Sequence, residues 1–251
     1  MLKLLLTKFI SACFLKRSGK GVFPIADTCQ IPKLFIIYEQ YFGKDKVGTF
    51  VEIGAFDGEH ASNTSGLADI GWNGIYVEPV PDFFIKCKKR HSKNTNVKII
   101  NVAVGASEGI LPIYIGGPLS TAHSAMKDNF INLKWAKSNF RGDSVCISTL
   151  TTLNILLKQE KMNTGFEVLV IDVEGYELDV LKGFDIDYWR PQMVIIELHD
   201  QNDSYLPIRE QCKKIVEYFE IANYKVIWKD FTNTIYVPKG IFPRFAEGEH
   251  A

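Results

Sequence analysis

Five short apolar runs, at residues 49–53, 74–78, 97–104, 168–172 and 193–198, are rich in β-branched side chains and bounded by Gly, Pro or Asn. Unbroken apolar runs of this length predict strands buried on both faces, as in a parallel sheet. Helical segments separate the first three, which is the rhythm of right-handed βαβ units. Helices are predicted around residues 33–41 and over 208–221, where Ile208, Cys212, Ile215, Val216 and Phe219 form one apolar stripe. Beyond them, 224–229 and 234–237 read as short strands joined by Asp230-Phe231-Thr232-Asn233, a hairpin turn. The predicted fold is α/β: a mostly parallel seven-stranded sheet, helices on both faces, and a C-terminal antiparallel hairpin. Residues 106–148 fit this rhythm less well. A hairpin arm at 110–115 runs into Gly116-Gly117-Pro118 and then a polar stretch, which reads as an arm or lid inserted into the domain. The expected organisation is a helical extension over 1–47 packed on the domain, the domain over 48–240, and a tail over 241–251.

A chain of 251 residues, 46% of them apolar, is long enough for one α/β domain with a substantial core. Lys plus Arg equals Asp plus Glu, 29 each, so no net field draws the protein to nucleic acid, and none is expected as a partner. The densest basic run, 86–93, falls on an amphipathic helix and reads as a solvated face. Five scattered cysteines without a C-x-x-C pair predict reduced thiols and a cytoplasmic location. The first 15 residues are apolar but interrupted by Lys3 and Lys8. They fall short of the roughly 20 residues that span a bilayer. No transmembrane span is expected. A helix packed on the domain is the leading reading, with weak interfacial membrane contact or an export signal as alternatives.

The first strand ends in Glu52-Ile53-Gly54-Ala55-Phe56-Asp57-Gly58. Gly54 permits a sharp turn at the strand's carboxyl edge, Gly58 permits close approach of a ligand to the next helix, and Glu52 offers an acceptor for an ammonium group. A dinucleotide pyrophosphate calls for G-x-G-x-x-G, which is absent, so S-adenosylmethionine is favoured over a nicotinamide cofactor. The second strand ends in Glu78-Pro79, an acid placed to accept ribose hydroxyls. The third ends in Asn101-Val102-Ala103, where an adenine would lie. Ligands in open α/β sheets bind outside the carboxyl ends of the strands. The fourth and fifth strands end there in Asp172-Val173-Glu174-Gly175-Tyr176-Glu177 and Glu197-Leu198-His199-Asp200. Methyl transfer to a hydroxyl needs a base and a gate that aligns the reacting atoms, so Asp172, Glu174, Glu197 and His199 are the catalytic candidates. Metal-free catalysis with His199 as general base is expected, because imidazole suits proton transfer near neutrality and suits Mg²⁺ poorly as a ligand. The alternative is a divalent ion held by Asp172 and Glu197, the place where catechol O-methyltransferase gathers its metal ligands.

With FVEIGAFDGEH, YVEPVPDFF, NVAVGASEG, CISTLTTL, VLVIDVEGYELDVLKGF and PQMVIIELHD in this order, the chain resembles the FkbM family of methyltransferases. The resemblance covers about residues 48–200 and implies a Rossmann-like class I methyltransferase fold and O-methylation of a sugar, glycan or other natural-product hydroxyl. By it, Glu52, Gly54, Asp57, Gly58 and Glu78 map to the cofactor, and Asp172, Glu174 and Glu197 to the substrate side. The chain departs from the family pattern with Val170 in place of a common Lys, and with Thr151 in place of a common Asp. Two other readings stay open: a cofactor-binding scaffold without catalysis, and a nicotinamide-dependent sugar enzyme. Tyr114, Trp135, Phe140 and Tyr205 are candidates to stack on a sugar or to pack the core.

Overall fold

The computed structural model describes residues 29–240 apart from 45, 141 and 143. The apolar start at 1–15 and the tail at 241–251 lie outside the described residues. Helix α1 (Leu34–Phe42) leads into β1 (Thr49–Ile53), and α2 (Ser65–Asp69), β2 (Asn73–Val77), α3 (Pro81–Arg90) and β3 (Val97–Ile100) follow. Next come β4 (Ala103–Val104), β5 (Gly109–Tyr114), α4 (Ser124–Asn132), β6 (Val145–Thr151) and α5 (Leu153–Gln159). The chain continues through β7 (Val168–Ile171), α6 (Glu177–Lys182), α7 (Ile186–Trp189), β8 (Met193–Glu197), α8 (Arg209–Ile221), β9 (Tyr224–Lys229) and β10 (Asn233–Pro238).

Seven strands form the main sheet in the order β3-β2-β1-β7-β8-β10-β9. All pairs are parallel except those of β10, which runs antiparallel to β8 and β9. This is the class I methyltransferase topology. The order reverses between β1 and β7, which opens a crevice at their carboxyl ends.

Alternation along each strand sorts the apolar side chains into two layers. Val51, Ile53, Leu169, Ile171, Val194 and Ile196 face one core, shared with α5, α6 and α8. Phe50, Val168, Val170, Met193 and Ile195 face the other, closed by Leu34, Tyr38, Tyr41 and Phe42 of α1 and by Trp72. The same register sets the chemistry. Ile171 pairs with Ile196, so Asp172 and Glu197, one residue further, leave the sheet side by side.

Two expectations are corrected. The strand expected over 97–104 breaks after Ile100, and Ala103–Val104 pairs instead with β6 in a separate three-stranded sheet, β4-β6-β5. Asn101 causes the break: its side-chain amide donates to the carbonyls of Glu78 (2.9 Å) and Pro79 (3.0 Å) and turns the chain away. The arm at 110–115 turns back at Gly116-Gly117-Pro118 only far enough for Tyr114 to exchange backbone hydrogen bonds with Thr121 (2.9 and 3.1 Å); its long antiparallel partner is Val145–Thr151. The segment between them is not simply a polar lid, since α4 buries Met126 and Phe130. Among the described residues no helix is long and apolar enough to cross a membrane.

Candidate active site

A cleft of about 340 Å³ opens at the carboxyl ends of β1, β2, β7 and β8, walled on its far side by Gly117–Ser120, Ala122 and Trp135. Gly54 makes it possible. Its φ is +90°, and a Cβ there would lie 1.7 Å from the backbone oxygen of Asp172. The two strands at the switch point touch through this residue.

At one end the cleft meets two buried carboxyls. Glu78 accepts from the backbone amides of Phe56 and Val80, each at 2.8 Å, which fixes its plane. Glu52 accepts from Ser62 Oγ at 3.0 Å and from the Thr64 hydroxyl. Burial pushes each carboxyl up to about 7, against the lowering effect of these hydrogen bonds. A carboxyl raised in this way holds a proton in the folded state that the unfolded chain has already lost above its ordinary 4.5. Folding stability therefore falls as pH rises from about 5 through 7. The Glu78→Gln variant has no carboxyl to ionise there, so its melting temperature should gain on wild type as pH goes from about 5 to 8. A pH-independent difference in differential scanning calorimetry would remove Glu78 as the source.

At the other end Asp172, Glu174 and Glu197 bring carboxylate oxygens within 4.8 Å of one another. Burial first, then repulsion from its neighbours, holds Asp172 and Glu174 well above the usual carboxylate range. Burial and the nearby Glu177 take Glu197 up to about 8. His199 is buried against Tyr205, ring centroids 3.5 Å apart and 14° from parallel. Burial keeps it below its usual value, against the pull of Glu177 and Asp172, so the imidazole is neutral near pH 7. Its Nε2 lies 3.0 Å from Glu197 Oε1, yet neither ring nitrogen is aligned in a hydrogen bond.

Of the residues expected at the site, Glu52, Gly54, Glu78, Pro79, Ala103, Asp172, Glu174, Glu197 and His199 line the cleft. Asp57, Gly58 and Asn101 do not. Asp57 Oδ1 accepts from the amides of Glu59 (3.0 Å) and His60 (2.8 Å), a turn-capping task. Gly58 gives close approach to Cys87 and His91. Among the aromatic candidates Phe140 is core, stacked on Phe130, while Tyr205 and the exposed Trp135 line the cleft.

Glu177 went unassigned in the sequence. Its Oε1 accepts from the amides of Val173 (3.1 Å) and Gly175 (3.0 Å), which ties down the loop carrying Glu174. Its place inside the DVEGYE string was the available signal.

The family model described as the methyltransferase FkbM domain matches residues 52–226. The chain belongs to the FkbM methyltransferase family. The match runs from Glu52 through both carboxyl-bearing strand ends to β9. No curated protein matches the chain significantly. Among solved structures, an O-methyltransferase from Bacillus cereus in complex with SAH is 12% identical with a TM-score of 0.47, covering 95% of this chain and 91% of that one. Precorrin-6y C5,15-methyltransferase from Geobacter metallireducens is 10% identical with a TM-score of 0.39, covering 76% and 78%. Aeropyrum pernix fibrillarin with natively bound S-adenosyl-L-methionine is 13% identical with a TM-score of 0.39, covering 76% and 66%. Likeness at this level says nothing of the acceptor of this FkbM domain.

Proposed function

We propose that this FkbM-family protein transfers the methyl group of S-adenosylmethionine to a hydroxyl oxygen of a sugar, glycan or other natural product. The observation that carries the reading is Glu78, a carboxyl locked by two backbone amides and turned into the cleft. Each of its oxygens keeps a lone pair, which suits the two hydroxyls of a ribose. Glu52, held by Ser62 and Thr64, suits an ammonium group, and Val80, Phe83, Val102 and Ala103 offer an apolar berth for a purine. The donor set thus fits the cofactor, with Gly54 leaving open the space a side chain would fill.

When bound, S-adenosylmethionine supplies an electrophilic methyl group on a sulfonium. The protein's part is to hold the acceptor oxygen in line and remove its proton. Neutral His199, neither of whose ring nitrogens is aligned in a hydrogen bond, is the group placed to accept that proton. Trp135, 56% exposed at the mouth, offers a flat apolar face of the kind that packs on sugar rings.

Glu78→Ala should weaken S-adenosylhomocysteine binding by about 1.5–3 kcal/mol, the scale of a lost hydrogen bond to a charged group. Titration calorimetry beside circular dichroism measures it. Unchanged affinity in a native-like variant removes the ribose role, and binding of NAD in preference to S-adenosylhomocysteine removes the whole reading.

A further inference from the structure

We propose that Asp172, Glu174 and Glu197 form the site of one hard divalent cation, of the Mg²⁺ or Mn²⁺ class, at the acceptor end of the cleft. Each residue presents one carboxylate oxygen, and the three lie within 4.8 Å of one another, a spacing that a single oxygen-ligated ion spans. Acidic clusters also occur without ions, and the independent observation here is His199. It is 5% exposed, lines the same cleft, and aims Nε2 to within 3.0 Å of Glu197 Oε1, with no hydrogen-bond partner at either ring nitrogen. Glu174 Oε2 and Glu197 Oε2 are likewise buried without a partner. Buried polar atoms are nearly always satisfied, so this set is incomplete as it stands.

Protein cations do not complete it. Among the described residues lining the cleft there is no Lys or Arg, and Lys229 on β9 is paired with Asp200 at 2.5 Å. The geometry is built in advance. Asp172 and Glu197 leave adjacent strands in register, and Glu174 sits at φ +54° in a loop pinned by Glu177 and by the Thr121 hydroxyl, which donates to the Glu174 carbonyl at 2.7 Å. Three oxygen donors favour a hard ion over Zn²⁺, and His199 takes the neighbouring position that orients a ligating carboxylate. This departs from the metal-free site expected from sequence.

All three residues line the cleft, so an ion held by them would meet an acceptor oxygen there. That use of the ion rests on the methyl-transfer reading; the site itself does not.

The test is Mn²⁺ alone, titrated into chelator-stripped full-length protein and followed by electron paramagnetic resonance and calorimetry. One site is expected. Its affinity should fall at least about tenfold in Glu174→Gln and in Glu197→Gln. It should hold in Asp203→Asn, whose carboxylate is 94% exposed. Mn²⁺ should also raise the melting temperature of wild type and leave that of the two cleft variants unmoved. No saturable binding to wild type at millimolar Mn²⁺, or equal binding by both folded cleft variants, overturns the proposal. S-adenosylhomocysteine titrated into the same samples separates the two readings. If it binds and Mn²⁺ does not, the cation site alone falls. If Mn²⁺ binds and it does not, the cation site stands and methyl transfer falls.

Discussion

His199→Ala is expected to lower turnover by about 10²–10⁴-fold while leaving affinity for S-adenosylhomocysteine unchanged. A hydroxyl is a poor nucleophile until its proton has somewhere to go, and the described cleft offers few neutral acceptors. Burial raises the carboxyls of Asp172, Glu174 and Glu197, and the same burial favours neutral imidazole, which leaves His199 ready to accept. Tyr205, stacked on the ring at 3.5 Å, fixes its plane, so removal of the imidazole takes away a positioned base rather than a mobile one. Single-turnover kinetics with bound cofactor isolates the chemical step. Partial recovery in added imidazole would identify the missing group as the base; turnover close to wild type without it would place proton removal elsewhere.

Gly54→Ala is expected to destabilise the protein by about 2–4 kcal/mol, combining left-handed backbone strain with an overpacked contact. For a chain of this size that corresponds to a fall of about 4–16 °C in melting temperature. The contact is backbone against backbone, 1.7 Å from a new Cβ to the Asp172 oxygen, so no side chain can swing aside. Relief requires β1 and β7 to part at the switch point, and the cleft with them. Gly71→Ala is the matched control: φ is +92° and nothing lies within 4 Å of its Cβ, so only the strain of about 1–2 kcal/mol remains. Equal losses for the two variants in chemical denaturation would mean that the close approach at Gly54 contributes nothing.

The strands that build the site were the easiest part of the sequence to read. β7 and β8 are buried on both faces, so their runs are apolar and end abruptly in acids, while β1 carries its acid, Glu52, one residue before its end. The C-terminal hairpin was legible because its turn is local. What escaped was decided by contacts far apart in the chain. Nothing near residue 101 shows that its amide will be taken by carbonyls at 78 and 79, and nothing near 110 shows that its partner begins at 145. Helix α4 escaped for a different reason. Its first turn is capped by His123, whose Nδ1 accepts from the Met126 amide at 3.3 Å, rather than by Ser, Thr, Asp or Asn. Gly58 was read as ligand-facing on its spacing and on the family resemblance, and Asp57 on the resemblance. Glycine spacing reports that a backbone is crowded, and here the crowding comes from Cys87 and His91.

The two walls of the cleft belong to sheets of different kind. One wall hangs from seven strands with core on both faces, whereas the other leans on β4-β6-β5, whose Ile110 and Ile147 are 75% and 63% exposed. A residue changed on the first wall disturbs two packed layers; a residue changed on the second meets solvent behind it. The small sheet is therefore where the cleft can change shape at least cost to the fold, while the strand ends that carry Glu52, Asp172 and Glu197 are held by both packed layers.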